Sequence, residues 1–171
     1  MAVLVYLMRH GIAADPTAGM SDADRALTAE GVRKTTRVAV GLQNLGAKPD
    51  LILSSPLRRA EETARLVADV LAPRASVELY PPLAGGFAVE DIVKGLRPHR
   101  NASELLLVGH QPDLGYLASY LLTGAASLAP LPFRKAGVAA ISLGSLPSRS
   151  AGQLEWFLTP SQLRAIASSR N

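Results

Sequence analysis

Three short segments of this chain are apolar at every position: Val3-Leu4-Val5-Tyr6-Leu7-Met8, Leu51-Ile52-Leu53 and Leu105-Leu106-Leu107-Val108. A strand with no polar face must be covered on both sides, which is the signature of a central, parallel strand. Each segment is also followed by residues with helical spacing. Thr28 and Glu30 open the first helix as N-cap and first-turn acid, and Val32, Thr35, Val38, Ala39, Leu42 and Leu45 form its apolar stripe before Gly46 and Pro49 stop it. The second follows Ser55-Pro56, a capping serine and a first-turn proline, with Leu57, Ala60, Ala64, Val67 and Leu71 three and four residues apart. The third spans about 112–122. Alternation of this kind predicts an α/β three-layer sandwich: a mainly parallel central sheet with helices on both faces. Further strands are expected at 77–80, 137–143 and 154–158, with a short helix at 88–96 and a terminal one at 160–167.

With 171 residues, 48% of them hydrophobic, the chain suits a single domain over 1–171 with an ordinary core. No apolar run approaches the roughly 20 residues that cross a bilayer. The run at 2–8 lacks a preceding basic region and a small-residue cleavage site, so a signal peptide is not expected. Without cysteine there is no disulfide framework and no thiolate chemistry, and a cytoplasmic setting is the default. The net charge of +4 does not indicate a nucleic-acid partner: the basic residues are scattered and aromatics make up only 5%. A mildly basic surface does favour an anionic substrate.

The ends of the three apolar runs carry the chemistry. Arg9-His10-Gly11 follows the first, Ser55 to Arg59 the second, and Gly109-His110 the third. Ligands of open parallel sheets bind beyond the carboxyl ends of the strands, so all three junctions are expected on one edge. Two histidines and two arginines converging there suit phosphoryl transfer, in which catalysis is mostly positioning and electrostatic stabilisation. Arg9 and Arg59 can clamp phosphoryl oxygens, His10 kept neutral by neighbouring cations can attack phosphorus, and His110 can donate to an oxygen. Helical phase separates the adjacent arginines. Arg58 falls with Glu61, Glu62, Arg65 and Asp69 on a solvated face, and Arg59 falls off it. Ser55 is expected to cap its helix and then touch phosphate. Arg25 is a candidate third cation at the phosphate, with a surface salt bridge as the alternative. His99 reads as an exposed loop residue, and a zinc site from His10, His99 and His110 is not expected without cysteine or closely spaced carboxylates. There is no P-loop, G-x-S-x-G or G-x-G-x-x-G.

As an ordered set, Arg9-His10-Gly11, Leu27-Thr28-Ala29-Glu30-Gly31, Ser55-Pro56-Leu57-Arg58-Arg59-Ala60-Glu61-Glu62-Thr63 and Gly109-His110 resemble the histidine phosphatase superfamily, the phosphoglycerate mutase-like fold. The short chain and Gly-His-Gln-Pro segment are most similar to the SixA-type phosphohistidine phosphatases. The resemblance implies a phosphohistidine intermediate on His10, a phosphate pocket of Arg9, Arg59 and His110, no metal or other cofactor, and no lid domain. One departure is informative. Many members place a proton-donating glutamate around 83–85, where this chain has Leu83-Ala84-Gly85. Alkyl phosphate esters need a proton on their leaving alkoxide, whereas phosphohistidine leaves as imidazole. The missing acid therefore argues for phosphohistidine or another activated phosphate, and the leading expectation is phosphohistidine in a phosphorylated protein, such as a histidine phosphotransfer domain. A broad phosphatase of small phosphorylated metabolites and a non-catalytic phosphate- or phosphopeptide-binding module are the alternatives.

Overall fold

Val5 and Leu7 of strand β1 (Val3–Arg9) belong to one hydrophobic cluster, and Tyr6 and Met8 belong to another. Alternate side chains of a strand point to opposite faces, so β1 is covered on both. The computed structural model describes residues 2–73, 75–148 and 150–169. After β1 come α1 (Ala29–Asn44), β2 (Leu51–Ser54), α2 (Arg58–Leu71), β3 (Val77–Leu79), α3 (Val89–Gly95), β4 (Glu104–Gly109), α4 (Asp113–Thr123), β5 (Val138–Leu143), β6 (Gln153–Leu158) and α5 (Pro160–Ser168), with short 3-10 turns at 22–24, 81–84 and 97–99. On one face α3 and α4 supply Ile92, Val93, Leu114, Leu117 and Leu121 to the cluster built on Val5, Leu107 and Ile141. On the other, α1, α2 and α5 supply Val38, Leu42, Ala60, Val67 and Leu163 against Met8, Ile52 and Leu106. These are the three layers expected. Leu107 is fully buried, and its truncation to alanine costs about 2–5 kcal/mol.

The sheet order is β3-β2-β4-β1-β5-β6. The first four of these strands are mutually parallel, β5 runs antiparallel to β1, and β6 antiparallel to β5, so the sheet is mixed. The cause lies in the loop before β5. After α4 the chain crosses back to the carboxyl edge, where the Ala136 N–H donates to Arg9 and His10 carbonyls (3.0 Å each), and β5 must start from there.

The local signals were mostly sound, with three differences. Thr28 caps α1, its hydroxyl accepting from the Gly31 N–H at 2.9 Å. Val32 and Leu45, however, are exposed, and the buried face includes Gly31, where a Cβ would stand 2.0 Å from the Ile12 carbonyl oxygen. The helix approaches the segment after β1 too closely for any side chain there. Ser55 is not the cap of α2: that helix starts at Arg58, with Leu57 at the cap position and no side-chain cap. Glu62 is not merely solvated, because it accepts the Leu27 N–H at 2.7 Å and fastens the end of the 12–26 loop to α2. Among the described residues no helix is long and apolar enough to cross a membrane.

Candidate active site

Register brings the three junctions level. Arg9 pairs with Gly109 and Ser54 with Val108, and the ladder runs one step further, His10 N–H to the Gly109 carbonyl at 3.0 Å and Ser55 N–H to the Val108 carbonyl at 2.9 Å. The two imidazoles consequently face each other across the β1–β4 seam, ring centres 5.1 Å apart and tilted by 51°.

His10 is 6% exposed. Its Nδ1 lies 2.7 Å from the Gly11 carbonyl oxygen. A carbonyl only accepts, so Nδ1 carries the proton and Nε2 keeps the lone pair. Burial is the largest influence on this ring, the Gly11 contact opposes it, and His110, Arg59 and Arg9 add to it; the result is a pKa lowered to about 3. His10 is thus a neutral imidazole with a free Nε2 across the physiological range. Gly11 is required sterically, since a Cβ there would stand 2.4 Å from Thr35 Oγ1. Its N–H donates to Thr63 Oγ1 (2.9 Å), and that hydroxyl donates to the Arg59 carbonyl (2.7 Å), tying the turn after β1 to α2.

His110 is lowered to about 4, chiefly by burial and then by Arg59, with Arg9 and Arg25 contributing and Asp22 opposing. Its Nε2 lies 2.7 Å from Ser55 Oγ, and the same Oγ accepts the Leu57 N–H at 3.2 Å. Nδ1 of His110 is buried with no protein partner. A serine that donates to Nε2 leaves the ring's proton on Nδ1, as a donor for an anion.

Arg59 is buried and Arg58 exposed, with 7% and 58% of their side-chain surfaces accessible. This is the division that helical phase gave. The Arg59 Nη atoms donate to the Asp22 backbone carbonyl (2.8 Å) and the Asp22 carboxylate (3.0 Å), and Nε is buried without a partner. Arg9 donates from Nη1 to the Phe133 carbonyl at 2.9 Å and likewise has an unpartnered, buried Nε; burial lowers its pKa. Arg25 sits in a salt bridge to Asp22 (2.8 Å) and donates to the Ala14 carbonyl (3.0 Å). Arg25 thus forms the salt bridge given as its alternative role, to a carboxylate that is also the Arg59 partner, and its charge acts on His110. Hydrogen bonds from Arg25 and Arg59 hold the Asp22 carboxyl below the usual range. His99 is half-buried rather than exposed, in the 97–99 turn before the start of β4, whereas His110 follows the end of that strand.

Sequence reasoning missed Asp22, Thr63 and the Phe133 carbonyl. Thr63 carried a signal, standing four residues after Arg59 on the same helical ridge; a backbone carbonyl and a loop aspartate carry none. At 83–85 no glutamate replaces the missing acid, but a Cβ on Gly85 (φ 105°) would stand 3.1 Å from Asp113 Oδ2. Asp113 and His110 line one small cleft with Leu83, Ile92, Leu114 and Leu117. The arrangement as a whole offers a neutral nucleophilic nitrogen, two guanidinium groups and an imidazole N–H with unsatisfied donors. That is chemistry for a tetrahedral oxyanion.

Known proteins agree with this geometry. Residues 5–84 match the family model described as the histidine phosphatase superfamily (branch 1). An uncharacterized protein of Picosynechococcus is 37% identical over 92% of this chain and 95% of its own. The phosphohistidine phosphatase SixA of Escherichia coli strain K12 is 29% identical, over 94% of this chain and 96% of its own. Among solved structures, the protein histidine phosphatase SixA complexed with tungstate superposes with a TM-score of 0.82 at 30% identity, covering 94% of this chain and 99% of that one. Matches of this extent, on a chain whose Arg-His-Gly, Ser-Pro and Gly-His junctions meet at one sheet edge, make it a member of the histidine phosphatase superfamily.

Proposed function

We propose that the protein is a phosphohistidine phosphatase acting on a phosphorylated protein, with His10 as nucleophile. The observation that carries this reading is the protonation pattern of His10: Nδ1–H held by the Gly11 carbonyl, Nε2 unprotonated, and His110 opposite. In the first step the Nε2 lone pair forms a bond to phosphorus while the bond from phosphorus to the substrate's imidazole nitrogen breaks. The departing nitrogen takes its proton from solvent. In the second, a water oxygen attacks the phosphoryl group on His10, the N–P bond breaks, inorganic phosphate leaves, and the water proton passes to solvent. Arg9, Arg59 and the His110 Nδ1–H stabilise the charge on the equatorial oxygens in both steps. The SixA relatives support the substrate class, and tungstate, a tetrahedral oxyanion like phosphate, is what the SixA structure holds.

The second reading is a broad phosphomonoesterase, and Asp113 is what favours it. Its carboxyl beside His110 is the group that could protonate an alkoxide. Both readings are tested by ranking kcat/KM for a phosphorylated histidine phosphotransfer domain against small phosphate esters. The domain is expected to turn over faster, and a large preference for esters overturns the protein-substrate reading. Brief exposure to labelled substrate is expected to trap an acid-labile, base-stable phosphoryl group that His10→Ala abolishes. Label on a carboxylate or hydroxyl refutes the nucleophile, and binding without turnover leaves a phosphate-binding module.

A further inference from the structure

We propose that a basic groove beside the catalytic pocket docks carboxylates that flank the phosphorylated histidine of a protein substrate. The groove, of about 380 Å3, is lined by Arg9, Lys34, Thr35, Arg134, Lys135 and Arg164 among others. Five of these are cationic, and none of the described lining residues is acidic. They come from four separate segments: the end of β1, α1, the turn before β5 and α5. Arg9 belongs to the groove and to the candidate phosphate pocket alike, so an anion in one lies next to a phosphoryl group in the other.

The turn that presents Arg134 and Lys135 is held firmly. Gly137 N–H donates to the Arg134 carbonyl at 2.7 Å, closing a four-residue turn, and Ala136 N–H donates to the carbonyls of Arg9 and His10. Ala136 has φ 63°, a conformation disfavoured for alanine that its neighbours enforce. Two exposed cations are thereby fixed to the backbone of the nucleophile's own segment. Only Lys34 has an ion-pair partner among the described residues, Glu30 at 2.5 Å. The floor includes Thr35, fully buried, with a hydroxyl that has no hydrogen-bond partner.

The character of the groove selects the occupant. Arg134 and Lys135 are exposed rim charges, each worth little alone, and such charges act by steering and orienting a large partner rather than by enclosing a small one. The lining has no aromatic residue on which a base could stack, which disfavours nucleic acid. An acidic patch around the phosphohistidine of a phosphotransfer domain meets the requirement. The inference rests on the phosphohistidine reading and names how that substrate is recognised.

The test compares the full chain with two variants, Arg134→Ala/Lys135→Ala and Arg134→Glu/Lys135→Glu/Arg164→Glu. The probes are phosphoramidate, fructose 1,6-bisphosphate and a phosphotransfer domain with acidic residues around its histidine, phosphorylated and not. Turnover of phosphoramidate within twofold of the parent shows that each variant is folded. The expected result is a fall of roughly tenfold or more in kcat/KM for the phosphorylated domain, with a flatter dependence on salt. Unchanged kcat/KM for the domain overturns the proposal, as does a loss confined to the bisphosphate, which would make the groove a small-molecule subsite. If the parent hydrolyses phosphoramidate but not the domain, the protein-substrate reading has failed. Docking is then decided by binding of the unphosphorylated domain, supported if the parent binds it and the variants do so tenfold more weakly, overturned otherwise.

Discussion

Ser55 Oγ lies 2.7 Å from His110 Nε2 and simultaneously accepts the Leu57 N–H, a pair of contacts in which its own proton can go to the imidazole. One hydroxyl thereby links the end of β2 to the end of β4, and by donating to Nε2 it leaves Nδ1 of His110 as the donor. Ser55 is a positioning residue on this account. Ser55→Ala is expected to lower kcat by roughly tenfold to a hundredfold with a smaller change in KM, and Ser55→Thr to recover most of it. Equal loss in alanine and threonine variants, or a loss wholly in KM, argues that Ser55 binds phosphate directly instead.

The adjacent arginines give a sharp contrast. Arg59 is buried against Asp22, and Arg58 pairs with Glu62 on the surface. Arg59→Ala is expected to reduce kcat/KM about 100–1,000-fold, the scale of losing one preorganised donor to a transition-state oxyanion. Arg58→Ala should stay within about threefold, since exposed pairs of this kind contribute under ~1 kcal/mol. Steady-state kinetics on the two variants would show comparable losses only if the burial pattern is irrelevant to phosphate binding.

Gly11→Ala brings a methyl to 2.4 Å from Thr35 Oγ1. The strain is expected to destabilise the protein by about 1–3 kcal/mol and to displace the carbonyl that orients His10. Thr35→Ala should relieve part of both effects, which a double-mutant cycle by urea unfolding and kcat would register. Additive losses would mean that the two residues do not press on each other.

Both imidazoles are neutral, His10 buried and His110 half-buried, with pKa values lowered to about 3 and about 4 from an ordinary 6.5. The unfolded chain therefore binds more protons than the folded one between 6.5 and those values, and stability must fall as pH falls through that window. From pH 7 to 5 the loss is expected to be roughly 1–2 kcal/mol for each ring. Urea titrations of the parent and of His10→Asn/His110→Asn should run parallel on the alkaline side and separate as pH falls below 6.5, where only the parent loses stability. A parent curve flat between pH 7 and 5 would show that the rings titrate normally.

Asp113 separates the two substrate classes. Asp113→Asn is expected to lower hydrolysis of alkyl phosphate esters about 10–100-fold, the contribution of a positioned acid, and to leave phosphoramidate within about threefold. Parallel progress curves on the two substrates measure it, and equal losses would assign Asp113 a purely structural role beside Gly85.

The all-apolar strands, the helices and the level ending of the junctions were legible because burial on two faces and helical phase are local properties of a sequence. That is why His10, His110 and the inward choice of Arg59 over Arg58 could be named without coordinates. The departures arose where a partner distant in the chain decides the outcome. Ser55 is not the cap of α2 because the helix starts only at Arg58, and its hydroxyl instead meets His110, 55 residues away. Val32 and Leu45 lost the buried face of α1 to glycines because neighbouring backbone comes within a methyl's width. β5 reversed direction because the loop before it is pinned to Arg9 and His10. Composition and periodicity determined which strands are covered on both faces and which strand ends hold the histidines and arginines. Only the packed structure decided which proton, which carbonyl and which carboxylate each of those groups meets, since hydrogen bonds between remote segments leave no periodic trace.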